Sequence, residues 1–386
     1  MIQYIDSIDS KFFADKRVLL RLDLNVSLPH DGIYDIADSL RITASKPTLD
    51  LLLRAGAHVG IVSHRMDSLS IEPMMEFISE HLGVQCAFAS DINSFHDKLM
   101  RNPCVVLENI RNWPGEESND DEFAKLLSSE FDIYVNEAFS VCHRTHASIS
   151  AISRRLPSYG GILMRKEIQQ LNSVLDAPMI GKTLLVGGAK PETKLPMVRN
   201  FLDKADTIIL AGVLGNIVSI RRGIISVPSQ NFQADSIEVD SAIIQSKNII
   251  SPTDFVVGSG VPPHIKPLGI RDESHPMSDS EGLFDLGPVS LERIKKVLTN
   301  SSLVIWNGPA GLAEIEPFDQ GTANIARALN SCPRVLIGGG DTVSWLNRHN
   351  LMPHDALVST AGGAMLDFLS GASLPGLVAL GYYEKV

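Results

Sequence analysis

The chain has 386 residues, 44% hydrophobic and 20% charged, with a formal net charge of −11. That length exceeds what one core usually fills, so two domains are expected. The acidic balance excludes nonspecific nucleic-acid binding, and the longest apolar stretch, around Thr207 to Ile220, is too short to span a bilayer.

Taken in chain order, the N-terminus MIQYIDSIDSKFF lacks the basic and then apolar order of a secretion signal. A cytosolic protein is expected. Buried-strand candidates then alternate with helical patterns: RVLLRLDLNV from Arg17, AHVGIVSH from Ala57, CVVLEN from Cys104 and FDIYVNEAF from Phe131. Between them lie SLRITASKPTLDLLLRAG and DEFAKLLSSE, which carry helical spacing. Such alternation predicts an α/β fold of doubly wound parallel sheets, Rossmann-like in organisation. A Pro/Gly-rich turn at PSYGG precedes one helical stretch, and the next strand starts at Lys182. The expected layout is therefore two such domains, residues 1–170 and 171–374, joined by a helix and a hinge. The segment from Pro228 to about Asp285 is polar and reads as loops around a few short strands. Cys86, Cys104, Cys142 and Cys332 are scattered, without metal-ligand spacing, and are expected to be buried free thiols.

The two halves end their strands differently. On the left, strand ends carry Arg21, Asp23 and Asn25, then His64 and Arg65, then Glu108, Asn109 and Arg111, then His143, Arg144 and His146. Arg41 opens the helix after the first strand's loop. Carboxyl ends of parallel strands converge on one edge, where ligands bind. Clustered guanidinium groups there suit a small phosphorylated carboxylate. On the right, apolar strands end in glycines: LLVGGAK with Gly188, IILAG with Gly212, VIWNGPAG with Asn307, VLIGGGDT with Gly339, Gly340, Asp341 and Thr342, and LVSTAGGA. Each glycine cluster is expected to bare backbone N–H groups for a polyphosphate. Lys190 and Lys194, four apart, would share a helix face. Asp341 suits a carboxylate holding Mg²⁺ on ATP or ADP. Two anion sites on two lobes imply phosphoryl transfer between bound small molecules, with closure about the hinge.

From about Arg17 to Leu380 the chain resembles the phosphoglycerate kinase family. RLDLNVSL resembles the family's RVDFNVPL. LENIRNWPGEESNDDEFAKLL, YVNEAFSVCHRTHAS, GGAKPETK, WNGPAGLAE, GGGDT and STAGGAMLDFLSGASLPGL also match its signatures. The resemblance implies reversible transfer between ATP and the carboxylate of 3-phosphoglycerate, by a cytoplasmic monomer using Mg²⁺. It implies Asp23, Asn25, Arg41, His64, Arg111 and Arg144 around the acid. Lys190 and Lys194 would lie at the moving phosphoryl, Glu314 at the ribose, and Gly339 to Thr342 at the phosphates and metal. Arg41, Lys190 and Lys194 are the catalytic candidates. Residues 375–386 would return to the first domain.

The chain departs from the pattern in places. The family's SHLGRP reads SHRMDS, so Asp67 replaces an arginine that helps bind the substrate phosphate, and Arg65 is the candidate to take its place. Ser140 stands for a glycine, Asn112 for a phenylalanine, and LAGVL, keeping Gly212, for a three-glycine turn. These departures leave open a kinase of a related carboxylate, and intact lysines make a non-catalytic nucleotide binder a more distant alternative.

Overall fold

The computed structural model describes residues 2–26, 36–66, 69–228, 237–275 and 277–383; Asp67 and residues 384–386 lie outside them. The chain divides into two compact units, residues 1–170 with 372–386, and residues 171–371.

The first unit is built on β1 (Arg17–Arg21), β2 (His58–Val62), β3 (Ala87–Ala89), β4 (Cys104–Leu107), β5 (Ile133–Asn136) and β6 (Ser158–Gly160). All pair in parallel, in the order β3-β4-β2-β1-β5-β6. Their apolar runs follow from burial on both faces. Val18 and Leu20 of β1 enter one core with Val59, Ile61 and Val135, while Leu19 enters another with Val62, Val105 and Tyr134. The chain adds strands on one side of β1 and then crosses to β5, so the switch point lies between β1 and β5. The pairing of β1 ends at Arg21, shorter than the predicted run to Val26, because Leu22 to Val26 leave the ladder toward the site. The two three-residue strands β3 and β6 carry too little pattern to be foreseen.

A helix, Ile162–Leu175, carries the chain from the first unit's residues into the second's. Its first N–H groups meet the Glu137 carboxylate, which accepts from Leu163 at 3.0 Å and Met164 at 3.2 Å.

The second unit repeats the plan with β7 (Lys182–Val186), β8 (Thr207–Leu210) and β9 (Ile249–Ile250). A three-stranded antiparallel sheet follows: β10 (Asp254–Val261), β11 (His264–Asp272) and β12 (Gly282–Leu286). Then β13 (Leu303–Asn307), β14 (Val335–Gly338) and β15 (Leu357–Val358) complete a parallel sheet of order β15-β14-β13-β7-β8-β9, whose switch point lies between β7 and β13. The antiparallel sheet corrects the reading of residues 228–285 as loops around short strands. β10 and β11 run for 8 and 9 residues. β11 is an exposed edge containing Pro267 and Gly269, so it lacks the apolar alternation that marks a strand. All four cysteines are free and buried. Among the described residues, no helix is long and apolar enough to cross a membrane.

Candidate active site

In the first unit the strand ends do converge. Asp23, past β1, is buried; its Oδ1 accepts from the Asn25 N–H at 3.2 Å and its Oδ2 from the Ser140 hydroxyl at 2.5 Å. Arg41 Nε stands 3.7 Å from the same Oδ2, and Arg41 Nη1 donates to the Asn25 carbonyl at 3.0 Å. Burial alone would raise the Asp23 pKa. The charges of Arg41, His64 and Arg21 and the Ser140 hydrogen bond outweigh it and hold the carboxyl at about 2. Arg41 lies in the second turn of the helix Ile36–Arg54 rather than opening it, because that helix begins before the predicted Ser39.

His64 is buried beside Arg21, whose Nη2 lies 3.4 Å from His64 Nδ1. A guanidinium can only donate, so this contact assigns the proton of the neutral ring to Nε2. Burial, opposed by Asp23 and helped by Arg21, Arg111 and Arg144, lowers the His64 pKa to about 3, so the ring is neutral at physiological pH. Arg21 is itself held by the Ser148 hydroxyl at 3.0 Å, and Ser148 donates to buried Glu116 through its N–H and hydroxyl. Ser148 and Glu116 escaped the sequence reading, since nothing local marks them as supports.

Arg65 is placed differently. Its Nε donates to the Val26 carbonyl at 3.1 Å and its Nη1 to the Ser70 carbonyl at 2.5 Å. Asn109 clamps the same turn, accepting the Arg65 N–H at 3.0 Å and donating to the Arg65 and Leu69 carbonyls at 2.9 Å. Glu108 accepts the Ile71 N–H at 2.7 Å. Among the described residues, Arg41, Arg65, Arg111 and Arg144 each keep at least one buried guanidinium nitrogen without a hydrogen-bond partner, although Arg111 Nε lies 3.3 Å from the Glu117 carboxylate. Such groups are costly to bury unless an anion completes them. Burial, with Arg111 nearby, lowers the pKa of Arg144.

In the second unit the glycines serve two purposes, which corrects the expectation that all of them bare N–H groups. The Gly187 N–H donates to the Asn307 carbonyl at 2.9 Å, Gly188 to Pro309 at 2.7 Å and Gly212 to Ala310 at 2.8 Å. These donors are spent on neighbouring strand ends. Glycine is needed there for close approach: a Cβ at Gly187 would stand 2.1 Å from the Pro309 carbonyl oxygen. Gly339 and Gly340 differ. Gly339, at φ +96°, turns the chain into the helix Gly340–Arg348, whose first turn holds Asp341. A Cβ at Gly340 would meet nothing within 4 Å. Thr342 is buried, and its hydroxyl accepts the Gly308 N–H at 3.1 Å.

The lysines do not share a helix face. Lys190 precedes the 3₁₀ turn Pro191–Thr193, and Lys194 caps the helix Leu195–Phe201; Pro191 interrupts the expected continuous helix. The Lys194 ammonium donates to Asn307 Oδ1, while Asn307 Nδ2 is buried without a hydrogen-bond partner among the described residues. Burial lowers the Lys194 pKa to about 8, with Asp341 opposing and Lys190 assisting.

A cavity of about 300 Å³ lies over these strand ends. Gly188, Gly212, Glu314 and Asp341 line it, as do Val213, Pro262, Leu283, Phe284, Leu312 and Asp285. Val213 and Leu312 follow the glycines Gly212 and Gly311, whereas Pro262, Leu283 and Phe284 come from the antiparallel sheet and its turn, far from any glycine motif, so no local pattern marks those three. Burial pushes the Asp285 carboxyl up to about 7, against the N–H groups of Gly321 and Leu286 that it accepts.

The model of the family described as phosphoglycerate kinase matches residues 6–372. The chain belongs to the phosphoglycerate kinase family. It is 34% identical to the phosphoglycerate kinase of Xanthobacter autotrophicus, with 97% of this chain and 98% of that one covered. It is 34% identical to that of Coprothermobacter proteolyticus, covering 95% and 96%. Among solved structures it is similar to phosphoglycerate kinases from Coxiella burnetii (TM-score 0.81, 28% identity) and Pyrococcus horikoshii (TM-score 0.84, 27% identity), each over 100% of both chains. As a member, this kinase transfers phosphate to a carboxyl group, and neither a different acceptor nor a non-catalytic role is favoured.

Proposed function

We propose that the chain transfers the γ-phosphoryl of ATP to the carboxylate of 3-phosphoglycerate, with the acid on the first unit and the nucleotide on the second. The observation that carries the acid site is the set of buried guanidinium nitrogens on Arg41, Arg65, Arg111 and Arg144, close to Asp23 and His64, that lack a hydrogen-bond partner among the described residues. The acid brings two anionic groups to complete them. Asn25, Arg41, Arg111, Arg144 and the neutral His64 are its binding set, and Arg65 is chiefly a brace for the turn between Val26 and Ser70.

The acceptor carboxylate is ionised at neutral pH, so the reaction needs no general base. Catalysis then rests on positioning and on stabilising charge on the moving phosphoryl. We assign that work to Arg41, Lys190 and Lys194. Lys194, with its pKa near 8, is still mostly protonated at neutral pH. On the nucleotide side the apolar cavity receives the base, Glu314 the ribose, and Gly339, Gly340 and Asp341 the phosphates. Gly188, Gly212, Asn307 and Thr342 hold the strand ends in register. Mg²⁺ fits as part of the nucleotide substrate. Among the described residues no group of three or more His, Cys, Asp or Glu forms a cage, and the lone carboxylate of Asp341 is the oxygen ligand such an ion takes beside phosphates and water. Each chain carries both sites, so a monomer working in the cytosol is proposed.

The test is a coupled assay of the purified chain with MgATP and 3-phosphoglycerate, alongside calorimetric titration with each substrate. Turnover dependent on both substrates supports the reading. ATP binding without turnover on 3-phosphoglycerate overturns it.

A further inference from the structure

We infer that Ser140 is a positioning residue for the acid, fixing Asp23 as acceptor for the substrate hydroxyl and so favouring a hydroxyl-bearing acid. This rests on the assignment of Asp23 to the acid site. 3-Phosphoglycerate offers a carboxylate, a phosphate and one hydroxyl. Both anions repel a carboxylate and are matched by the guanidinium groups, so the hydroxyl is the one group Asp23 can take.

The geometry around Asp23 is specific. Oδ1 takes the Asn25 N–H, and Oδ2 takes the Ser140 hydroxyl at 2.5 Å with Arg41 Nε at 3.7 Å. A carboxylate has about four acceptor positions, so room for the substrate hydroxyl remains. Ser140 reaches Asp23 across the switch point, from the loop after β5 to the loop after β1. Its backbone is fixed by the 3₁₀ turn Phe139–Val141, which is anchored by the Ala138 N–H on Asn136 Oδ1 at 3.0 Å and the Cys142 N–H on the Phe139 carbonyl at 3.0 Å. Phe139, Val141 and Cys142 are buried, while Ser140 is half-buried toward Asp23. Because the serine hydroxyl donates to Asp23, its own lone pairs stay available as a second acceptor beside the first.

The experiment compares Ser140→Ala, Ser140→Gly and Ser140→Thr at saturating MgATP. 3-Phosphoglycerate is the substrate, and 3-phosphonooxypropanoate, which lacks the hydroxyl, is measured as an inhibitor. The alanine and glycine variants should raise KM for 3-phosphoglycerate roughly fivefold to tenfold, with kcat and KM for ATP little changed. Ser140→Thr, which keeps the hydroxyl, should stay near the parent value, and the inhibition constant of the deoxy acid should be equal in all four proteins. A KM within about twofold of parent in both the alanine and glycine variants overturns the inference. So does an equal loss of affinity for both acids, which marks a merely structural role. Asp23→Asn separates the two levels: no effect on KM removes Asp23 from the acid site, whereas a large effect beside silent Ser140 variants rejects only the role of Ser140.

Discussion

The two parallel sheets place their candidate sites at the same topological position and fill it in opposite ways. At the switch point of the first sheet, side chains from neighbouring strand ends meet: Asp23 after β1 and Ser140 after β5, with Arg41 beside them. At the switch point of the second, backbones meet, Gly187 and Gly188 after β7 against Asn307 at the end of β13 and Pro309 just beyond it. The first site is therefore held by long charged side chains, the second by the absence of side chains. A small acid with two anionic groups needs bidentate charge, whereas a nucleotide needs room for a flat base and a helix N-terminus for its phosphates.

The contrast can be broken most sharply at Arg41. Arg41→Ala removes a guanidinium that touches Asp23 and spans to the Asn25 carbonyl. Steady-state kinetics should show kcat down roughly 10²–10³-fold, and Arg41→Lys should not restore it, because an ammonium cannot supply the planar fork. A loss confined to KM would move Arg41 from catalysis to simple binding.

In the second unit the matching test is at glycines. Gly187→Ala drives a methyl against the Pro309 carbonyl, so the variant should be about 1–3 kcal/mol less stable to unfolding than the parent, and ATP binding should weaken with it. Gly340→Ala meets open space and should leave the melting temperature unchanged, as read by thermal denaturation. If the two variants melt alike, the division between close-approach glycines and open-turn glycines fails.

Much of this was visible in the residues alone. β1, β2, β4, β5 and the strands ending in glycine announced themselves because both faces of each sheet are buried, and their carboxyl ends carry the candidate site residues. What stayed hidden depends on partners far along the chain. That Gly187 needs to be small is a property of Pro309, and that Arg65 braces a turn is a property of the Val26 and Ser70 carbonyls. Part of the apolar cavity wall escaped for the same reason: Leu283 and Phe284 sit on an antiparallel sheet whose exposed edge strand mimics a loop, and Pro262 lies in the turn leading into that strand.

The buried carboxyls sharpen the contrast through pH. Asp285 is raised from the ordinary 3.8 to about 7 by burial. Between those values the folded chain keeps a proton that the unfolded chain has released, so this group's contribution to stability falls as pH rises through the window. Asp23 is lowered from 3.8 to about 2, so its contribution is present above the ordinary value and is lost as pH falls toward 2. Thermal unfolding across pH should show Asp285→Asn flattening the slope between weakly acidic and neutral pH and Asp23→Asn flattening the acid arm. Exchanged effects would contradict the assigned environments.

The smallest expected effect concerns the phosphate of the acid. With Nε and Nη1 of Arg65 each donating to a backbone carbonyl, the side chain is pinned to its turn, so the N–H groups left on Nη1 and Nη2 cannot swing to meet a phosphate as those of a free guanidinium can. Asp67→Arg, at the position where the family signature carries its arginine, should therefore lower KM for 3-phosphoglycerate a few-fold, with kcat unchanged and melting temperature unaffected. Arg65→Ala should do the reverse in kind, lowering the melting temperature through loss of the brace more than it raises KM. If Asp67→Arg leaves KM unchanged and Arg65→Ala raises it steeply, Arg65 serves the phosphate despite its backbone bonds. The acid site would then be supported by one side chain performing both tasks, rather than by a brace and a separate anion receptor.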